Sequence, residues 1–354
     1  MKLSESTIGE LFEHPNLEAL VSQDDKIKIS EYLVRMKNLP TEPLYIKILI
    51  GAGAWFATGF LLIFVVLIIG YSKEVGAIYC GIIFLAAAIL IDKFSNKLFL
   101  SQVSLVMALA GNVLTVGGTM IRIRHHEVFV AFLVHAFICG IVYPFYKNSL
   151  YRFLAPLAFV IFAIGFIVEA DLHKFIHILI FAEMILLGLL VTYKKLPTLF
   201  IPLTYASALM LPATLLFMNL MQINKWRENF NEPLWPSSLL LSGGLIYLYI
   251  NLASGMKKIR EPWMVLAIFT TILLGVISTP GILVAIALLI IGYAHDDRIF
   301  SAMSYLFLIC FLGVFYYALN IDLYQKSLVI AGSGGLLLLV RWATCRLKPL
   351  EVPA

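Results

Sequence analysis

The chain has 354 residues, of which 61% are hydrophobic and only 13% charged, and its mean hydropathy is +0.94. A soluble domain carries roughly a quarter of its residues as charges, so this chain lacks the polar residues that would cover a core in water. The net charge of +5 calls for no nucleic-acid partner, because the distribution of lysine and arginine between loops accounts for it.

Residues 1–43 form a polar segment with eight acidic side chains. They read as a cytoplasmic tail rather than a cleavable signal peptide, since the first long apolar run starts only near Tyr45. Within the tail, Asn16 is placed to cap a short helix through Leu17 and Leu20. A second helical segment runs from Ile27 to Met36, before Pro40 and Pro43 stop it. Two roles stay open for this arm: an amphipathic helix on the membrane or a partner, or a solvated extension.

Residues 44–343 are organised as apolar blocks with charges confined between them. About 20 apolar residues at 1.5 Å each cross roughly 30 Å of hydrocarbon. Blocks fall at 45–70, 75–91, 98–121, 128–146, 153–168, 175–193, 199–223, 237–252, 263–277, 280–294, 299–319 and 327–342. The predicted fold is all-α, a polytopic transmembrane helical bundle of about 12 spans, with residues 344–354 as a second cytoplasmic tail. The pair 263–277 and 280–294 is short and is broken by Ser278, Thr279, Pro280 and Gly281. Two short spans with a tight turn fit it best, with a re-entrant hairpin as the rival. No internal repeat supports an inverted-repeat transporter.

Alternating loops give the orientation. With the first tail inside, 18 lysines and arginines fall on the inner side and 7 on the outer, leaving aside the distant Lys2. Basic loops resist translocation, so both termini are expected in the cytoplasm. Arg122 and Arg124 run against this trend.

Ionisable groups within hydrocarbon are costly and therefore functional candidates. Glu183, near the middle of the sixth block, is the clearest. It reads either as a proton or cation site or as a carboxyl hydrogen-bonded to a neighbouring span. Five of the seven histidines lie between the third and sixth blocks, and His125, His126, Glu169 and His173 fall at the outer face with Glu127 and Asp171. If the sixth helix starts early, Glu169, His173 and His177 share one helical face at four-residue spacing. That spacing suits a metal or proton relay, and equally a polar turn beside a helix, so no metal is assigned. Gln102, Asn112, Asn219 and Asn251 are expected to hydrogen-bond between helices. Glycine groups at Gly51/Gly53, Gly117/Gly118, Gly243/Gly244 and Gly332/Gly334/Gly335 lack the Lys-Ser/Thr of a phosphate loop, and close helix packing explains them. Cys80, Cys139, Cys310 and Cys345 have no metal or disulfide spacing and read as inert thiols. No GxSxG, HExxH or intramembrane aspartate pair is present, so neither catalysis nor a cofactor is expected.

Two stretches are more distinctive. The first reads Pro43-Leu-Tyr45-Ile-Lys47-Ile-Leu-Ile-Gly51-Ala-Gly53-Ala-Trp55. The second has Pro280-Gly281, Gly292-Tyr293, Asp297-Arg298, Tyr316-Tyr317, Asp322-Leu323-Tyr324-Gln325-Lys326-Ser327, Gly332 and Arg341-Trp342. Together they resemble the bacterial membrane family known as Domain of Unknown Function 4401, over about residues 40–345. The resemblance implies a bacterial inner-membrane protein with no established substrate. It also implies a neighbour, a membrane-anchored protein named for a GDYxxLxY motif, and hence a two-component complex. Tyr316, Tyr317, Asp322, Gln325 and Lys326 cluster at one outer turn. There Asp322 and Lys326 pair across a helix start, or the turn serves as a docking surface for the partner. A non-enzymatic membrane subunit is the expected function, with a secondary transporter or channel as the alternative. Reporter fusions check the topology: those at Lys194–Lys195 and Lys257–Arg260 should report cytoplasm, and those at Lys225–Arg227 the opposite side.

Overall fold

The computed structural model describes residues 73–94, 97–123, 126–193, 196–224, 233–253 and 261–318, with scattered positions from 49 to 63 and from 322 to 342. The chain divides into units 1–56 and 57–354. In the first, Leu49, Gly51 to Gly53, Trp55 and Phe56 are helical. Both polar tails, Cys345, most of the first predicted block and part of the last lie outside the described residues.

Among the described residues of the second unit every regular element is a helix. They are α1 (Lys73–Phe94), α2 (Leu98–Arg122), α3 (Glu127–Phe145), α4 (Ser149–Glu169) and α5 (Phe175–Thr192). Then follow α6 (Ile201–Asn224), α7 (Trp235–Leu252), α8 (Pro262–Ile277), α9 (Pro280–Ala294) and α10 (Arg298–Ala318). Each coincides with one predicted block, from the second to the eleventh. Seven of them, α1 to α6 and α10, are long and apolar enough to cross a membrane, and α8 and α9 are shorter apolar helices.

Local chemistry sets the helix ends. Asn148 caps α4, its side-chain oxygen accepting from Leu150 N at 3.0 Å and Tyr151 N at 3.4 Å. Pro262 and Pro280 occupy first turns, where no intrahelical N–H is needed. α4 and α9 end in the same way. Asp171 (φ 54°) and Asp296 (φ 51°) are left-handed, and the next residue's N–H reaches back five residues, Leu172 to Ile167 O and Asp297 to Gly292 O. Arg152, one of the 18 basic residues assigned to the inner side, is buried: its Nε donates to Tyr143 O and its Nη2 to Pro144 O, capping the C-terminus of α3.

Helices α1–α4 pack around Leu105, Val116, Ala131, Ile138 and Tyr151. Helices α5, α6, α7, α9 and α10 enclose a larger core around Ile180, Leu211, Leu215, Leu283 and Leu288. The two groups meet where Val160 of α4 faces Ala206 and Met210 of α6. The most enclosed element is α9, with Gly281, Leu283, Val284, Ala285, Leu288 and Ile291 all buried.

Contacts between turns sort them onto two ends of this assembly. Lys147 N donates to Asp92 Oδ2 (2.8 Å), Tyr143 OH to Leu199 O (3.1 Å), Asn251 Nδ2 to Thr192 Oγ1 (3.3 Å) and Tyr205 OH to Asp297 Oδ2 (2.8 Å). These bonds gather the turns after α1, α3, α5, α7 and α9 at one end. At the other, His177 Nδ1 bonds Ser237 Oγ at 2.7 Å, and the end of α8 with Ser278 lies beside Leu234 and Trp235 at the start of α7. The short pair α8–α9 therefore runs from one end to the other and back. Its turn sits beside the start of α7.

Gly81 and Gly111 let α1 and α2 touch backbone to backbone. A Cβ on Gly81 would lie 2.7 Å from Thr115 N and 2.8 Å from Gly111 O. Gly81→Val should lower the stability of the purified protein by about 1–3 kcal/mol, read by thermal unfolding in detergent. Gly117→Ala, whose Cβ meets nothing within 4 Å among the described residues, should leave it unchanged.

Candidate functional site

Glu183 sits midway along α5 and is only 3% exposed. Its Oε1 accepts from Thr214 Oγ1 of α6 at 3.0 Å. Its Oε2 is buried and has no hydrogen-bond partner among the described residues. Ile176, Ile180 and Leu187 are buried with it along α5, and Leu187 also lines a cavity with Phe181, Met184, Ile185 and Gly188, of which Glu183 is not a lining residue. Thr214 therefore satisfies one carboxyl oxygen and leaves the other without a bond among the described residues. An ionised carboxyl here requires a compensating charge.

A second buried polar group joins α2, α3 and α4. His135, 2% exposed, has Nδ1 at 3.0 Å from Asn112 Oδ1 and Nε2 at 3.0 Å from Ala155 O. Asn112 Nδ2 lies 3.4 Å from Tyr151 OH, and Cys139 Sγ lies 3.2 Å from His135 Nε2. Tyr151 stacks edge-on against Tyr146 at 5.1 Å, and Tyr146 OH bonds Ser104 Oγ at 2.7 Å. Tyr146, in the turn after α3, is fully enclosed, and burial pushes its phenol upward despite the Ser104 hydrogen bond.

With that amide orientation both imidazole nitrogens face acceptors, which would demand a buried cation. Turning the amide over resolves this. Tyr151 OH then donates to the amide oxygen, the amide N–H to Nδ1, and Nε2–H to Ala155 O, with a neutral ring throughout. Cys139, His135 and Asn112 have the composition of a nucleophile, base and orienting residue. The Nε2 proton is nevertheless committed to a backbone carbonyl, so the ring has no lone pair free to take the thiol proton. The arrangement clamps three helices.

The predicted outer cluster is divided by the helix boundaries. α4 ends at Glu169 and α5 begins only at Phe175, so Glu169, His173 and His177 do not share one helical face. The left-handed Asp171 produces the break. Glu169 and His126 are exposed. His173 is buried with its Nε2 3.5 Å from Asp171 Oδ1, and His177 bonds Ser237. His125 lies outside the described residues. Among the described residues no three His, Cys, Asp or Glu side chains converge as metal ligands.

The polar span residues do different work from one another. Asn112 and Asn251 link helices as expected, whereas Asn219 Nδ2 donates to Leu215 O of its own helix at 2.7 Å. Glycine packing is likewise mixed. Gly118 and Gly244 abut Ile78 and Met184, but Gly117 and Gly243 have nothing within 4 Å among the described residues.

The distinctive C-terminal residues build the corner from α8 to α10. Gly281 is the seat for the Phe311 ring, and Gly292 passes Ser301, whose N would lie 2.8 Å from an added Cβ. Asp297 caps α10 through Oδ1 and Ile299 N (2.8 Å) while Oδ2 receives the Tyr205 hydroxyl (2.8 Å). Tyr316 and Tyr317 meet edge-on at 5.7 Å, and Tyr317, Asp322 and Gln325 are exposed. Lys326 lies outside the described residues.

Helices of spanning length, apolar surfaces and buried polar groups bonded to one another define an all-helical membrane protein. The chain belongs to the family described as Domain of unknown function (DUF4401), whose model matches residues 43–347. No curated protein and no solved structure matches it.

Asn112→Leu should cost about 1–3 kcal/mol in detergent unfolding, because it strands the buried His135 and Tyr151 groups. Combined with His135→Phe the loss should be less than the sum of the two, since both act on one network.

Proposed function

We propose that this chain is a multi-pass inner-membrane protein of bacteria, with about 12 crossings and both termini in the cytoplasm. In this reading it is a non-enzymatic subunit that holds a membrane-anchored GDYxxLxY-motif protein. The lysine- and arginine-rich stretches favour this orientation, because the helix ends that precede them in sequence, at Thr192, Asn251 and Asp297, are gathered at one end of the helices. The observation that carries the subunit role is how the polar side chains are used. His135, Asn112, Asn251, Tyr143 and Asp297 spend their hydrogen bonds on neighbouring helices and turns, which builds a scaffold rather than a reaction centre.

The partner surface is the opposite end around Tyr316, Tyr317, Asp322, Gln325 and Lys326. The exposed Tyr317 ring and the exposed Asp322 and Gln325 offer an aromatic and hydrogen-bonding patch of the kind interfaces favour. A tagged chain should co-purify with the GDYxxLxY protein in mild detergent, and Tyr317→Ala with Gln325→Ala should reduce the yield of the pair by about tenfold. A lone, stable chain in every detergent tried would overturn the reading.

The spare Oε2 of Glu183 favours one alternative, a secondary transporter or channel. It requires that Glu183→Gln abolish pH-dependent uptake in proteoliposomes at unchanged expression. Unaltered flux in that variant removes the alternative.

A further inference from the structure

We propose that the cleft between α5 and α7, floored by α9, binds one phospholipid with an amine-bearing head. An acyl chain lies in the cleft's apolar stretch, and the head rests at the α9–α10 turn. Two adjoining cavities, of about 500 Å³ and 700 Å³, make up this cleft and share Val191, Thr192, Leu248 and Ile291. The first is almost wholly apolar, lined by residues such as Phe181, Met184, Leu240 and Leu283. The second carries the polar groups of Tyr193, Thr204, Asn251, His295 and Asp297. From Phe181 to Thr192 the apolar stretch runs for about 16 Å along α5, roughly half the hydrocarbon thickness of a bilayer. That is the depth of one leaflet, and the polar groups stand at its end, where a head group would be.

Two glycines mark the cleft as space kept open rather than space left over. A Cβ on Gly188 or Gly243, one on each wall, would meet no atom within 4 Å among the described residues. Neither glycine is used for close helix approach, in contrast to Gly244, whose added Cβ would touch Met184 Sδ at 2.5 Å. A larger side chain at either position would instead fill the cleft.

The head preference follows from charge and from hydrogen-bonding capacity. Asp297 is the single formal charge among the described residues lining the polar end. Its oxygens accept one bond each, from Ile299 N and Tyr205 OH, which leaves lone pairs for a further donor. His295 Nδ1 donates to Ile291 O at 3.0 Å, and Asn251 turns its amide donor to Thr192, which leaves the Asn251 carbonyl as an acceptor. Acceptors beside a carboxylate suit an ammonium group. An amine can pair with the Asp297 carboxylate, whereas a head with phosphate and no amine offers it no cation.

The test is native mass spectrometry of the full-length, delipidated chain, titrated with phosphatidylethanolamine and with phosphatidylglycerol of the same acyl chains. The wild-type chain should hold one phosphatidylethanolamine about tenfold more tightly than phosphatidylglycerol. Gly188→Leu and Gly243→Leu should lose that lipid at unchanged melting temperature, and Asp297→Asn, which retains a capping side chain, should bind both lipids alike. Equal binding of the two lipids by the wild-type chain, or no retained lipid, overturns the proposal. So does undiminished binding in both leucine variants. Where those variants fail to fold, Asp297→Asn decides alone, and an unchanged preference for the amine head refutes the assignment.

Discussion

A chain solvated by hydrocarbon has no water to satisfy its polar groups, and this constraint governs nearly every feature of the molecule. Helices satisfy the backbone internally. What remains is the polar side chains and the helix ends, and the structure disposes of both by pairing them with each other. Arg152 folds onto the last carbonyls of α3, Asn148 and Asp297 cap the helices that follow them, and Asn251 reaches Thr192. His135 alone has three helices converging on it. Within lipid the hydrophobic effect gives helices little reason to adhere, so these bonds and the close glycine contacts carry the specificity of packing that a soluble core obtains from burial.

The close contacts are made at glycines. The α1–α2 pair has Gly81 and Gly111 at its crossing, which allows backbone approach and many small dispersion contacts. Between α9 and α10 the close contacts act together with a polar bond: Gly281 seats the Phe311 ring, Gly292 passes the Ser301 backbone, and Ser304 Oγ donates to Ala285 O at 2.7 Å. Helix α9 is apolar all round and mostly enclosed, as expected of a helix shielded from solvent by its neighbours. At 15 residues it is short because its ends are set by Pro280 and by the left-handed Asp296 rather than by the membrane's thickness.

Hydropathy made the helices legible, because each block was apolar and set off from the next by polar residues, charge or proline. Which face of a helix meets protein was not legible. Leucines and isoleucines serve equally well against lipid and against another helix, so nothing in the run Pro280–Ala294 distinguishes the central helix from a peripheral one. Glu183 could be singled out by its isolation, but its Thr214 partner lies 31 positions away and no periodicity connects them. The His135 network draws on residues 112, 135, 139, 151 and 155. Asn112 was legible as a polar residue within an apolar block, but nothing local tied it to His135 or Tyr151. The outer histidines show the converse error. Their spacing suggested a continuous helical face, and one aspartate with a positive φ interrupted it.

Asp297 shows how a residue that is distinctive in sequence can serve as a joint of the fold. It follows the left-handed Asp296, begins α10, and takes the hydroxyl of Tyr205 from α6. One carboxylate thereby fixes the angle between α9 and α10 and anchors that corner to a third helix. Replacing it by a residue of the same size and no acceptor would leave an unfilled helix cap and an unpaired tyrosine at a single point. The same geometry brings its charge to the polar end of the α5–α7 cleft. The group that holds the corner rigid is therefore also the one that would read a lipid head, and a rigid mount is what such recognition needs, since an acceptor held in place by two bonds loses little further entropy when a ligand arrives.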